Sequence, residues 1–184
     1  GTHLSTLLSP RYLTVPHVHD LHRALEGIPY EHILILVNTE SYGGGGIYNN
    51  YHISAARNSF ALPVAVHEFG HSFAGLADEY FSSEVAYQDF YNLKYEPWEP
   101  NITTLVNFDA KWKDLLPTNT PIPTPLDDAH KDKAGVFEGG GYIAKGIYRP
   151  MDHCMMRDYA PFCPACSRAI LQMIDYFTDK PIKH

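Results

Sequence analysis

Leu62-Pro-Val-Ala-Val-His67-Glu68-Phe69-Gly70-His71-Ser-Phe-Ala-Gly75-Leu-Ala-Asp78-Glu79-Tyr80 is the stretch around which the rest of the chain is read. Residues four apart on a helix share a face, so His67 and His71 can offer two imidazoles to one zinc ion. Glu68 sits one step round, where a carboxylate can take a proton from water activated by that metal. The five residues alone also fit a surface helix with two histidines and an ion-paired glutamate, in a chain that holds 11 histidines. The flanks favour the metal. Pro63 suits a first turn, where its missing N–H is not needed, and Asn58 or Ser59 is placed to cap it. Val66, Phe69, Gly70 and Phe73 recur at helical spacing, and Gly75 is placed to end the helix in a left-handed cap.

A catalytic zinc commonly takes three protein ligands and a water. Beyond Gly75 the chain can turn back toward the metal, and the first acid it carries is Asp78, followed by Glu79. Asp78 is the expected third ligand and Glu79 the second choice. The plainer reading has both acids capping the next segment or steadying the histidine rings.

Composition bounds the answer. A chain of 184 residues with 45% hydrophobic and 13% aromatic content is long enough for one folded domain. A net charge of −7 argues against nucleic acid or an anionic membrane as partner. No apolar run reaches the roughly 18 residues of a membrane span. The start, Gly1-Thr2-His3, has no signal peptide, as expected of a mature or trimmed fragment of a longer protein.

Upstream, residues 18–25 read as a short helix whose neighbours His17, His19 and His22 form a solvated face. Residues 31–38, E-H-I-L-I-L-V-N, read as a strand buried on both faces. Residues 42–46, Y-G-G-G-G, read as a loop, and Ile47 to Ser54 as the next strand. Downstream, residues 82–95 are expected to be partly helical. Prolines crowd residues 96–128 and make that segment extended or irregular. Asn101-Ile102-Thr103 matches a glycosylation acceptor. Residues 107–116, around Trp112, read as a short helix or strand packed on the sheet.

The later blocks bring further candidates. Tyr148 and Arg149 offer a hydroxyl and a fixed positive charge, either of which could steady an oxyanion or bind a substrate carboxylate. Alternatively, Arg149 pairs with Glu138 as scaffold. Tyr159 is a second oxyanion candidate. Cys154, Cys163 and Cys166 are read first as a disulfide between two of the three, then as packed thiols. A second zinc on these cysteines lacks a fourth ligand. Residues 164–177 read as a C-terminal helix with Ile170, Met173, Ile174 and Phe177 as its packed stripe.

Taken in order, H-E-F-G-H-S-F-A-G-L-A-D-E-Y, E-G-G-G-Y, Y-R-P, C-M-M-R and C-P-A-C resemble the bacterial immunoglobulin-A metallopeptidase family, itself similar to the metzincins. The chain departs from the metzincin spacing H-E-x-x-H-x-x-G-x-x-H, because its glycine comes one residue late and Asp78 stands where the third histidine would be. The resemblance implies an α+β zincin fold: a mixed β-sheet, a zinc-binding helix, an irregular C-terminal half and a C-terminal helix, all one catalytic domain over residues 1–184. It implies an edge strand that pairs with substrate, making Gly43 to Tyr48 (Gly44, Gly45, Gly46 and Tyr48 above all) candidates for lining the substrate, the plainer reading being a surface hairpin loop. It also implies a methionine turn beneath the histidine rings, with Met156 nominated and Met155 the alternative. The expected activity is a zinc endopeptidase (cofactor Zn2+) acting on a protein or peptide, possible targets being immunoglobulin or another host or glycan-associated protein. It is expected to be secreted or on a bacterial surface and monomeric. The rival readings are a zinc hydrolase of some other bond and a degenerate fold used as a surface binding module.

Overall fold

The computed structural model describes residues 5–6, 12–82 and 90–179, and the chain divides at Gly75 into two units, residues 1–74 and 75–184. In the first unit, β1 (Ser5–Thr6) pairs antiparallel with β2 (Leu13–Thr14). Helix α1 (Val18–Ala24) follows where the apolar spacing predicts it, with His17, His19 and His22 exposed. Strands β3 (Ile33–Val37), β4 (Gly44–Ile47) and β5 (Tyr51–Ala55) form a sheet in the order β3-β5-β4. It is mixed, because β3 runs parallel to β5 and β4 antiparallel to it. Helix α2 (Ala61–Ala74) carries the histidines.

The core of this unit is Val15, Leu21, Ile33, Tyr51 and Ile53, with Ile35 and Val37 against it. The Tyr51 hydroxyl is buried with the apolar ring and accepts the Val15 N–H at 3.0 Å, so its polar end is satisfied. β3 is not buried on both faces as its composition suggests. Leu34 and Leu36 are 49% and 62% exposed, because β3 is a sheet edge and only its alternate residues reach the core.

The glycine run is likewise not a loop. Gly44–Ile47 pairs residue by residue with Tyr51–Ser54, and Ile47–Ser54 is a hairpin rather than one strand. Asn49 takes a positive φ of 54° in the turn, as asparagine can. Its N–H donates to the Ser72 carbonyl at 2.9 Å, satisfying one of the carbonyls left open at the end of α2.

Helix α2 starts and stops where its signals lie. The Asn58 side chain accepts the Phe60 N–H at 2.9 Å, Pro63 falls in the first turn, and Gly75 ends the helix at φ 62°. The buried side of the helix, however, is Val64, His67, Gly70, Ser72 and Ala74, with Phe69 and Phe73 only half covered.

The second unit is mostly irregular until residue 136. Of residues 82–95, those from 83 to 89 lie outside the described residues. The segment around Trp112 forms two short 3-10 helices, Phe108–Ala110 and Lys113–Leu115, the short helical form of the two expected there. Trp112 is fully buried and its indole N–H donates to the Gly135 carbonyl at 2.8 Å. Asn101 and Thr103 are fully buried, so the glycosylation motif has no accessible asparagine. β6 (Phe137–Gly140) and β7 (Ile143–Arg149) form an antiparallel hairpin. Ile143 and Ile147 pack with Ala77 and Ile102.

Helix α3 (Met155–Asp158) and helix α4 (Pro164–Phe177) complete the described chain. α4 is anchored by its first turns, through Ala165, Cys166 and Ala169, while Ile174 and Phe177 of the expected stripe are 39% and 37% exposed. The three cysteines are buried and free, not bridged. No helix among the described residues is long and apolar enough to cross a membrane.

Candidate active site

Helix α2 brings the two histidines together. Their Nε2 atoms lie 3.1 Å apart and their rings meet edge to face at 86°. Two nitrogens on one tetrahedral zinc, each about 2.0–2.1 Å from it, would stand about 3.3 Å apart. The pair therefore fits a shared ion. His67 is buried, while His71 and Glu68 are half-buried.

The glycines of β4 determine how closely the sheet approaches this helix. A Cβ on Gly44 would lie 2.5 Å from Val64 Cγ1 and 2.9 Å from Glu68 Oε1. One on Gly46 would lie 2.5 Å from the Glu68 carbonyl oxygen and 2.8 Å from His71 Cβ. Only a strand without side chains can lie this close to the turn that carries Glu68 and His71. β4 is the other edge of the sheet, yet Tyr12 bridges to Gly44, and a Cβ on Gly45 would lie 2.4 Å from the Leu13 carbonyl. The edge expected to receive substrate is thus met by residues 12–13 at its first half. Tyr48 is exposed in the turn beyond it.

Behind the helix lies a polar network that the sequence did not announce. Ser72 donates its hydroxyl to the Glu68 carbonyl at 2.8 Å and also lies 3.2 Å from His32 Nε2. His32 in turn contacts His52 Nδ1 at 2.7 Å. Phe69 and Phe73 pack edge-on against the His32 ring. Burial lowers the His32 pKa, and burial together with the charge of His32 pulls His52 down to about 4. Both rings are therefore neutral at pH 7 and can relay hydrogen bonds to the helix.

In the second unit, Asp78 and Glu79 point different ways, as successive residues of an extended segment must. Asp78 is buried and accepts a hydrogen bond from the Tyr142 hydroxyl at Oδ2. Its carbonyl accepts the Gly141 N–H at 2.8 Å, and the Tyr80 carbonyl accepts the Tyr142 N–H at 3.0 Å. Burial and the Asp78 charge push the Tyr142 pKa up, so the phenol stays a donor. Glu79 is fully buried, and its Oε1 accepts the Asn101 amide at 2.9 Å and the Cys166 thiol at 3.2 Å. Tyr142 and Asn101 were missed as site residues. Tyr142 ends the E-G-G-G-Y block, but only the folded hairpin reveals what its hydroxyl meets.

Met156 is fully buried, and its carbonyl accepts the Glu79 N–H at 2.8 Å. Tyr159 closes α3 at φ 63° and is half-buried. Tyr148 is half-buried in β7, with its backbone paired to Thr103. Arg149 differs from both sequence expectations. It is fully buried and donates to the carbonyls of Glu138 and Gly139 and to the Asp152 carboxylate. The Glu138 carboxylate pairs with Lys145 instead. A guanidinium so enclosed ties the hairpin to the loop after it.

A family model described as IgA Peptidase M64 matches residues 1–134 and 126–174 of the chain. No curated protein matches it.

Proposed function

The chain belongs to the IgA Peptidase M64 family and is a peptidase, and from that premise we propose that it is a zinc-dependent endopeptidase. The observation that carries the reading is the convergence of the His67 and His71 Nε2 atoms at 3.1 Å on one helix, with Glu68 beside them. His67, His71 and Asp78 are donors of the kinds that hold a metal ion, and in this reading they hold the zinc. Glu79 is occupied by Asn101 and Cys166, which favours Asp78 as the third ligand. Tyr142 steadies the Asp78 carboxylate through its second oxygen. When bound, zinc supplies a Lewis acid and lowers the pKa of its water toward about 7.

The remaining steps belong to the protein. Glu68 takes the proton of the attacking water and passes it to the leaving amine. Tyr159 or Tyr148 supplies a hydroxyl for the developing oxyanion. Gly46, Ile47 and Tyr48 offer the part of the β4 edge and turn beyond the Tyr12 bridge to an extended substrate. The substrate is a protein chain, immunoglobulin among the candidates, met outside a bacterial cell.

The test is cleavage of protein substrates against small amides, with and without chelator. Glu68→Gln is expected to retain zinc and lose turnover by about 10²- to 10⁴-fold, the usual contribution of a general base. A Glu68→Gln chain that cuts protein at the wild-type rate would refute the assignment.

A further inference from the structure

Glu79, Cys154, Cys163 and Cys166 are all buried, and one ligand atom from each lies within 4.8 Å of all the others. Cys154 Sγ and Cys166 Sγ stand 3.7 Å apart, far beyond the roughly 2.0 Å of a disulfide. Two thiolates on one tetrahedral zinc, each at about 2.3 Å, would stand about 3.8 Å apart. Glu79 Oε1 lies 3.2 Å from Cys166 Sγ. Its other oxygen, Oε2, is buried with no hydrogen-bond partner among the described residues. A carboxylate enclosed in this way needs a cation or a proton.

The backbone is arranged for thiolates rather than thiols. The Cys163 N–H donates to Cys154 Sγ and the Cys166 N–H to Cys163 Sγ, each at 3.4 Å. Cys163 caps α4, so its sulfur also lies at the positive end of a 14-residue helix. Four buried acids cannot all ionise without a cation among them. The buried Arg149 guanidinium feels the Glu79 charge and partly offsets the excess negative charge of a filled site.

We propose that Cys154, Cys163, Cys166 and Glu79 form a closed, four-coordinate structural zinc site, separate in its ligands from the His67–His71 pair. Three sulfurs and one carboxylate suit a borderline-soft ion, and four protein ligands leave no position for substrate. The site ties α4 to the segment that carries Asp78 and to the Met156 turn, because Glu79 follows Asp78 and donates its N–H to the Met156 carbonyl. It therefore fixes two of the peptidase candidates without touching the reaction.

The test compares the whole chain as purified with a His67→Ala/His71→Ala variant. Elemental analysis should find about two equivalents of zinc in the first and about one in the second. Titrating the thiols of the variant with an organomercurial should release that remaining zinc. Cobalt(II) exchanged into the wild type should show a thiolate-to-metal charge-transfer band that Cys154→Ser abolishes, a readout that survives if the histidine variant folds poorly. About one equivalent in both proteins, released by the mercurial, keeps this site and removes the peptidase centre. Metal in the wild type that vanishes entirely with the histidines, or a disulfide between two of the three cysteines, overturns the proposal.

Discussion

Gly46→Ala tests whether the bare strand is what lets the helix sit where it does. The new Cβ would meet the Glu68 carbonyl oxygen at 2.5 Å and His71 Cβ at 2.8 Å. Ordinary contact begins at 3.4 Å, so strand and helix must part by about 0.9 Å at that point. The nearer obstacle is backbone, and no rotamer change relieves it. Overpacking of this kind costs about 1–3 kcal/mol, offset by about 0.4–1 kcal/mol from the reduced freedom of the unfolded chain. The net expectation is a loss of about 1–2 kcal/mol, read as a lower urea midpoint at unchanged slope. The same displacement shifts Glu68 and His71, and since a misplacement of about 1 Å can cost about 10²-fold, kcat/KM should fall by about 10- to 100-fold. Gly140→Ala is the control, because the nearest atoms to its Cβ would be Ile102, Ile147 and Arg149 side chains at 3.6–3.7 Å. Its stability should stay within about 0.5 kcal/mol. A Gly46→Ala protein as stable and as active as the control would show that close approach is not why that strand lacks side chains.

Other consequences can be measured independently. His52 titrates near 4 when folded, chiefly through burial, against about 6.5 unfolded. Between those values the unfolded chain binds more protons, so stability falls as pH drops, by about 1 kcal/mol from pH 7 to pH 5 after allowance for solvent screening. Urea midpoints should show that slope, and His52→Asn should flatten it; equal slopes in both proteins would count against the network. Asn101→Ala leaves the Ala77 N–H and carbonyl and the Glu79 carboxylate without their amide partner, and should cost about 2–4 kcal/mol in urea unfolding. A loss under about 0.5 kcal/mol would mean that the site relaxes around the gap. Tyr142→Phe removes the donor to Asp78 and should weaken zinc binding by about 10- to 100-fold in a chelator competition, with the fold retained. Unchanged affinity would remove Asp78 or Tyr142 from the metal centre.

The sequence alone determined what depends on neighbours along the chain. Pro63 and Gly75 bracket α2 because one lacks an N–H where none is needed and the other accepts φ 62°. The i, i+4 spacing then places His67 and His71 on one face, and α4 likewise runs from Pro164 to Phe177 as its pattern predicts. Contacts between distant segments were decided only by the tertiary structure. The glycine run looked like a loop because glycine has low strand propensity, yet the helix needs a strand with no side chains against it. The C-P-A-C pair seemed to lack a metal ligand because Glu79, which reaches Cys166, is 87 positions away along the chain. Arg149 could be read as a functional cation or as scaffold paired with Glu138, but folding encloses it among carbonyls, where its charge serves the hairpin. Local geometry is written in short-range spacing; which buried donor finds which acceptor depends on how the chain packs.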